Sequence, residues 1–143
     1  MVSRRLVRRY RGDPNRVRER LQDELRTTIR TLRERGLRVL VVDISGNGGG
    51  TEWVVHVTRL LSSKALHRPG AQKADPTCDR TEIWNGEPVC PGLGDAKEST
   101  MDGEGTWDRP LALLVDGATA SASEDMVVWL RESGAATILG EKT

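Results

Sequence analysis

Histidine and cysteine are scarce, with two of each in 143 residues. His56, His67, Cys78 and Cys90 lie apart and lack the paired spacings of a zinc site, so no metal and no metal cofactor is expected. No apolar run approaches the roughly 20 residues that span a bilayer, which excludes a membrane-spanning helix. The opening MVSRRLVRRYRGD has the charge of a signal n-region but no apolar segment behind it, so it is not expected to act as an export signal. Net charge is +1, which excludes a uniform polyelectrolyte. No internal repeat is evident.

Charge is nevertheless uneven. Residues 1–36 hold twelve arginines against five acids, an excess of seven positive charges. The remainder holds ten basic and sixteen acidic residues, an excess of six negative ones. Such asymmetry can mark a nucleic-acid-binding arm. Single-strand binders interleave aromatic platforms with the basic residues, but Tyr10 is the one aromatic in this stretch. No nucleic-acid partner is therefore expected, and the arginines are read as a solvated helix face. Residues 1–12 are read as a basic N-terminal arm and 13–143 as a single α/β core.

The core opens with a helix marked at both ends. Asp13 suits the N-cap, Pro14 the first turn, and Gly36 the left-handed C-terminal position. Val17, Leu21, Leu25, Ile29 and Leu32 recur every three or four residues and share one face. LRVLVVDIS, residues 37–45, is a nearly continuous Val-rich run, which predicts a strand buried on both faces, as in a parallel sheet. GNGGG follows. TEWVVHVTRLLSSKAL, residues 51–66, sets Trp53, Val57, Leu60 and Leu61 on one helical face. Strand, glycine turn and helix begin a β-α-β unit.

Residues 67–109 break the rhythm. They contain Pro69, Pro76, Pro88 and Pro91, both cysteines, Trp84 and Trp107. A stretch this long without helical pattern is read as a loop insertion, functional or carrying a small structure of its own. A disulfide between Cys78 and Cys90 is expected if the protein is exported. The alternation then resumes, with a strand in PLALLVDG, a helix over 121–133 and a strand in AATILG.

Two loops follow strands in this reading, DISGNGGG and VDGATASASE. In open parallel sheets ligands bind at the carboxyl ends of strands. The glycines expose N–H groups suited to an anion, and Ser121 stands at a helix N-terminus where N–H groups are also free. A hydroxyl beside two sets of free donors is the layout that acyl transfer requires. The glycines taken alone also fit a tight turn. They match neither a P-loop nor G-x-G-x-x-G. Ser121 to Glu124 taken alone spells a capping box.

The two stretches together resemble the tail-specific or C-terminal processing family of serine peptidases, which includes a tricorn-like branch. That family carries D-L-R-x-N-x-G-G, and here stands Asp43-Ile44-Ser45-Gly46-Asn47-Gly48-Gly49-Gly50. It then carries T-A-S-A-S-E and, after a helix and a strand, G-E-x-T. Here stand Thr119-Ala120-Ser121-Ala122-Ser123-Glu124 and Gly140-Glu141-Lys142-Thr143. Order and context match over residues 15–66 and 109–143. The resemblance implies a crotonase- or Clp-protease-like fold, a partial α/β core whose parallel sheet is interrupted by the long irregular insertion. It implies Ser121 as nucleophile, with the N–H groups of Gly49 and Ala122 as oxyanion hole.

By the same resemblance, substrates are peptides or unfolded proteins and the setting is extracytoplasmic. Many family members also carry a PDZ domain, and nothing in this chain looks like one. The processing branch takes its base from a lysine in an aromatic-Gly-Lys-Gly stretch just after G-E-x-T. The chain stops at Thr143, before that stretch, so the 143 residues alone are expected to be nearly inactive. Lys142 fills the variable position of G-E-x-T and is not assigned as base, and neither are His56 and His67. A non-catalytic peptide-binding relative of the same fold is the alternative, and an arginine-rich nucleic-acid binder a more remote one.

Overall fold

The computed structural model describes residues 13–51, 53–70, 82–84, 87–89 and 98–143. The N-terminal arm and both cysteines, with their expected disulfide, lie outside the described residues. Helix α1 spans Pro14–Glu34, with the Asp13 carboxylate accepting from the Asn15 N–H at 3.0 Å. Past its end Gly36 adopts φ +85°, the left-handed turn that stops the helix. Strand β1 (Leu40–Asp43), helix α2 (Val54–Leu60) and strand β2 (Leu66–Arg68) follow. Next come β3 (Glu82–Trp84), β4 (Glu87–Val89), β5 (Ser99–Met101), β6 (Leu111–Val115), α3 (Ala122–Glu132) and β7 (Thr137–Gly140).

Strands β1, β6 and β7 form a parallel sheet with β6 in the middle. The fold is thus α/β, a partial core on a parallel sheet. Antiparallel pairs β2–β5 and β3–β4 are the other strand pairs among the described residues. The stretch read as an irregular insertion therefore holds strands. Its last part is integral to the core: Trp107 is 1% exposed, and its indole N–H donates to the Pro110 carbonyl at 3.1 Å.

The core lies on one side of the sheet. Leu111, Leu113 and Val115 of β6 meet Leu60, Leu66, Met126, Trp129 and Leu130. Each such aliphatic side chain removed from water contributes about 1.5–3 kcal/mol. The other side of the sheet differs from the expectation that β1 is buried on both faces. Val39 and Val41 are 53% and 55% exposed, and Leu139 is 48% exposed. The helices cover the Leu40 and Val42 face, so the apolar run is half used among the described residues.

The second helix is also shorter than its apolar pattern predicts. It ends at Leu60 because its last carbonyls are taken from outside. Glu104, Gly105 and Trp107 donate their N–H groups to the carbonyls of Arg59, Ser62 and Leu60 at 2.8, 2.8 and 3.1 Å. Ser62 Oγ accepts from the Lys64 N–H at 3.0 Å and closes the turn, which frees Leu66 to start β2. The arginine face of α1 is not wholly solvated either. Arg26 and Gln22 both bond the Glu104 carboxylate, at 2.8 and 3.0 Å, and tie α1 to the segment that ends α2.

Gly140 pairs with Val115 at the C-terminal end of the sheet, with φ +126°. A Cβ there would stand 2.0 Å from the Val115 carbonyl oxygen. Gly140→Ala is therefore expected to destabilise the fold by about 3 kcal/mol, read as a fall in the urea midpoint at unchanged m-value.

Candidate functional site

Strands β1 and β6 are neighbours and parallel, so the loops leaving their C-terminal ends emerge side by side. Residues 44–53 leave β1 and residues 116–121 leave β6. Three cross-links join them. The Asp116 carboxylate accepts from the Gly46 N–H at 2.9 Å, the Thr119 hydroxyl donates to the Ile44 carbonyl at 3.2 Å, and the Ala120 N–H donates to the Asn47 carbonyl at 3.1 Å. Thr119 is 2% exposed, so its hydroxyl link is shielded from water.

The closest approach of the loops is at Gly49. Its φ is +99°, and a Cβ built there would lie 2.7 Å from Ala120 O, 2.7 Å from Ser121 Cβ and 3.0 Å from Ala122 N. Neither Gly48 nor Gly50 would meet anything within 4 Å. Of the glycines in this stretch, Gly49 is therefore the one whose missing side chain lets the backbone reach the serine turn.

Ser121 itself is strained. It has φ +56° and ψ −125°, the only positive φ at a non-glycine residue among those described. Such a backbone costs roughly 1–3 kcal/mol and persists only where surrounding contacts enforce it. The turn joins the C-terminal side of β6 to the N-terminus of α3, and the serine is exposed at its apex. The Glu124 carboxylate accepts from the Ser121 N–H at 2.7 Å, the return arm of a capping box. The forward arm, from the Glu124 N–H to the serine oxygen, is a loose contact that makes no regular cap bond. Ser123, two residues on, is 4% exposed. Ala122 opens α3, where backbone N–H groups lack intrahelical acceptors.

Two depressions meet at Gly50, Thr51, Val54 and Ala122. One, of about 380 Å³, is walled by Leu21, Leu25, Val42, Ile44, Trp53 and Met126 and reaches Gly49 and Ser123. The other, of about 450 Å³, contains Ser121 with Arg68, Asp125 and Trp129. Arg68 pairs with Asp125 and stands over the Trp129 ring at 5.7 Å from its centroid, which anchors β2 to α3. His56 borders the apolar depression, and His67 pairs with Glu98 at 2.8 Å. Neither bonds to Ser121. Among the described residues no three His, Cys, Asp or Glu side chains are grouped to hold a metal.

The linking residues Asp116, Thr119 and Asn47 are missing from the candidates named by sequence. A signal for two of them exists, since Asp and Asn two residues before a loop N–H form side-chain-to-backbone turns. Both loop aspartates are held below the ordinary carboxylate pKa. For Asp116 the main cause is the Gly46 N–H, and for Asp43 it is the Ser45 N–H. A carboxylate whose folded pKa is depressed stabilises the fold above its unfolded value, and that contribution disappears as pH falls through the folded one. The melting temperature is thus expected to drop as pH is lowered below about 4. Asp116→Ala should flatten that drop while lowering the melting temperature at neutral pH. A melting series from pH 7 to 2 on both proteins checks this.

Residues 15–143 match the model of peptidase family S41. A carboxyl-terminal-processing protease from Synechocystis sp. is 46% identical over 50 residues, which are 35% of this chain and 12% of the relative. The solved structure of a photosystem II D1 C-terminal processing protease aligns with a TM-score of 0.54 and 28% identity, over 82% of this chain and 26% of that one. The chain thus spans a small part of the length of these relatives. With the serine and glycine motifs in the order and at the strand ends described, the chain belongs to peptidase family S41, the C-terminal processing peptidases.

Proposed function

We propose that these residues form the nucleophile and oxyanion part of a serine endopeptidase of the tail-specific type, on a crotonase-like core. The observation that carries the reading is the strained, exposed Ser121 pressed against Gly49. A sharp turn between strand and helix that presents a serine hydroxyl at its apex is how acyl-transfer enzymes expose a nucleophile. Ser121 Oγ attacks the scissile carbonyl carbon and its proton passes to a base. The N–H groups of Gly49 and Ala122 hold the resulting oxyanion. On collapse the base returns its proton to the departing amine, and water, deprotonated by the same base, then releases the acyl group and restores the serine hydroxyl.

Among the described residues the site supplies no base. No titratable side chain among the described residues hydrogen-bonds to Ser121 Oγ, and a serine without a base is a weak nucleophile at neutral pH. We assign the base to the stretch that follows G-E-x-T in the family, not to Lys142, His56 or His67. Substrates are peptides or unfolded proteins bound across the two depressions, and the setting is extracytoplasmic. No described helix is long and apolar enough to cross a membrane.

The test compares the full-length gene product with the 143-residue chain on an unfolded model protein, with peptide fragments read by mass spectrometry. Cleavage by the first and near silence in the second is expected. Strong cleavage by the 143-residue chain would place the base inside it, with Lys142 the first residue to substitute. Tight peptide binding without any cleavage by either protein would identify a non-catalytic relative instead.

A further inference from the structure

Asn47 uses three of its polar groups within the site. Its N–H donates to the Ile44 carbonyl at 3.1 Å, and its carbonyl accepts from the Ala120 N–H at 3.1 Å. Its side-chain oxygen accepts from the Gly49 N–H at 3.2 Å. The last contact fixes the side-chain orientation, since the amide turned over would set N–H against N–H. The Gly49 N–H is thus engaged by an acceptor of the protein itself.

We infer that the Asn47 side chain is a place-holder acceptor for the oxyanion donor, a positioning residue that yields Gly49 N–H to a charged oxygen and not to a neutral one. The inference rests on the reading of Gly49 as an oxyanion donor. A neutral scissile carbonyl and the Asn47 amide oxygen are similar acceptors, so a substrate in its ground state gains little by displacing the amide. An oxyanion accepts a charge-assisted bond roughly twice as strong as a neutral one. The exchange therefore becomes favourable only as negative charge develops. Binding energy withheld from the ground state and released at the transition state raises kcat instead of lowering KM.

Charge on the place-holder separates this role from a structural one. Asn47→Asp keeps the shape and the turn but puts a carboxylate where the amide oxygen was. It holds the Gly49 N–H more strongly and repels the oxyanion. In the full-length gene product kcat is expected to fall at least 100-fold at pH 7 with KM within threefold, an effect on the order of losing one oxyanion donor. The deficit relative to the parent protein should shrink only as pH falls below about 4, where a carboxylate held by a backbone N–H begins to protonate. An unchanged kcat, or a deficit constant with pH, overturns the inference.

Where Asn47→Asp fails to fold, Asn47→Ala carries the test. With the place-holder gone the neutral carbonyl gains the donor, so KM should fall while kcat/KM changes less than tenfold. A raised KM with kcat/KM down 100-fold indicates a structural role only and overturns the inference. Ser121→Ala run alongside separates the two failures. If that variant still cleaves, the nucleophile reading fails; if it is dead and Asn47→Asp is normal, the place-holder alone fails. The resting contact is read without turnover by amide hydrogen exchange. The Gly49 N–H should be protected in the parent and lose at least tenfold of that protection in Asn47→Ala. An unprotected Gly49 in the parent overturns the inference whatever the activity.

Discussion

Replacing Ser121 by glycine is expected to stabilise the protein while abolishing peptide cleavage. The backbone at Ser121 is one that glycine adopts freely and an L side chain does not. Relief of that strain is worth about 1–3 kcal/mol. Against it stand the larger entropy loss of a glycine on folding, about 0.4–1 kcal/mol, and a few tenths for the exchanged cap. The net gain is about 1 kcal/mol, a rise in melting temperature of about 4 °C for a chain of this size. Ser121→Ala keeps the strain and the Glu124 arm and loses only the loose side-chain contact, so it should cost about 0.5 kcal/mol, the low end for a lost cap. Both variants should lower kcat/KM by a factor on the order of 10⁴ or more, the usual result of removing a nucleophile. A serine that only capped α3 behaves differently, because activity then follows the folded fraction. Ser123→Ala should be mild in turnover, since Ser123 is buried beside the turn instead of standing at its apex.

Gly49→Ala is expected to be the most damaging small change in the glycine loop. The added methyl would meet Ala120 O and Ser121 Cβ, both at 2.7 Å, on a backbone with φ +99°. The two loops must part or the chain must strain, at a cost of about 2–4 kcal/mol. Movement of the Gly49 N–H also displaces the proposed oxyanion donor, so kcat should fall by a factor on the order of 10²–10³. Gly48→Ala is the control, with open space around its Cβ and no left-handed backbone. It should leave stability within about 0.5 kcal/mol of the parent. Urea melts and kcat on the same preparations distinguish the pair. Equal effects of the two substitutions would contradict the close approach at Gly49.

The elements legible from sequence are those with local causes. Asp13 and Gly36 bracket α1, and the Val-rich run of β1 needs no distant partner to declare itself. The misreadings have distant causes. Leu61 belongs to the apolar face read for a helix in residues 51–66, but the N–H groups of Glu104, Gly105 and Trp107 take the carbonyls of Arg59, Ser62 and Leu60. No pattern within residues 51–66 carries that information. Val39 and Val41 suggest burial on both faces because hydrophobicity records what a strand tolerates, not which neighbours the described residues supply.

At the site, the motifs mark Gly49 and Ser121 through resemblance. Their physical distinction, a forbidden Cβ and a positive φ, exists only once β1 and β6 lie side by side. Sequence assigns no role to Asn47 or Asp116 because each acts on the other loop or its own turn through one side-chain oxygen, and many loop residues have one. Arg68 and Asp125 pair across 57 residues, a link no local pattern signals.

Ser121 is expected to become acylated during turnover. Acid-quenched mass spectrometry of the full-length gene product, taken in the first turnovers on a slowly hydrolysed peptide ester, reads this directly. An adduct of the acyl mass is expected on the tryptic segment that contains Ser121, mapped by fragmentation to that residue and absent from Ser121→Ala. An adduct mapped to Ser123, or undiminished turnover by Ser121→Ala, would contradict it.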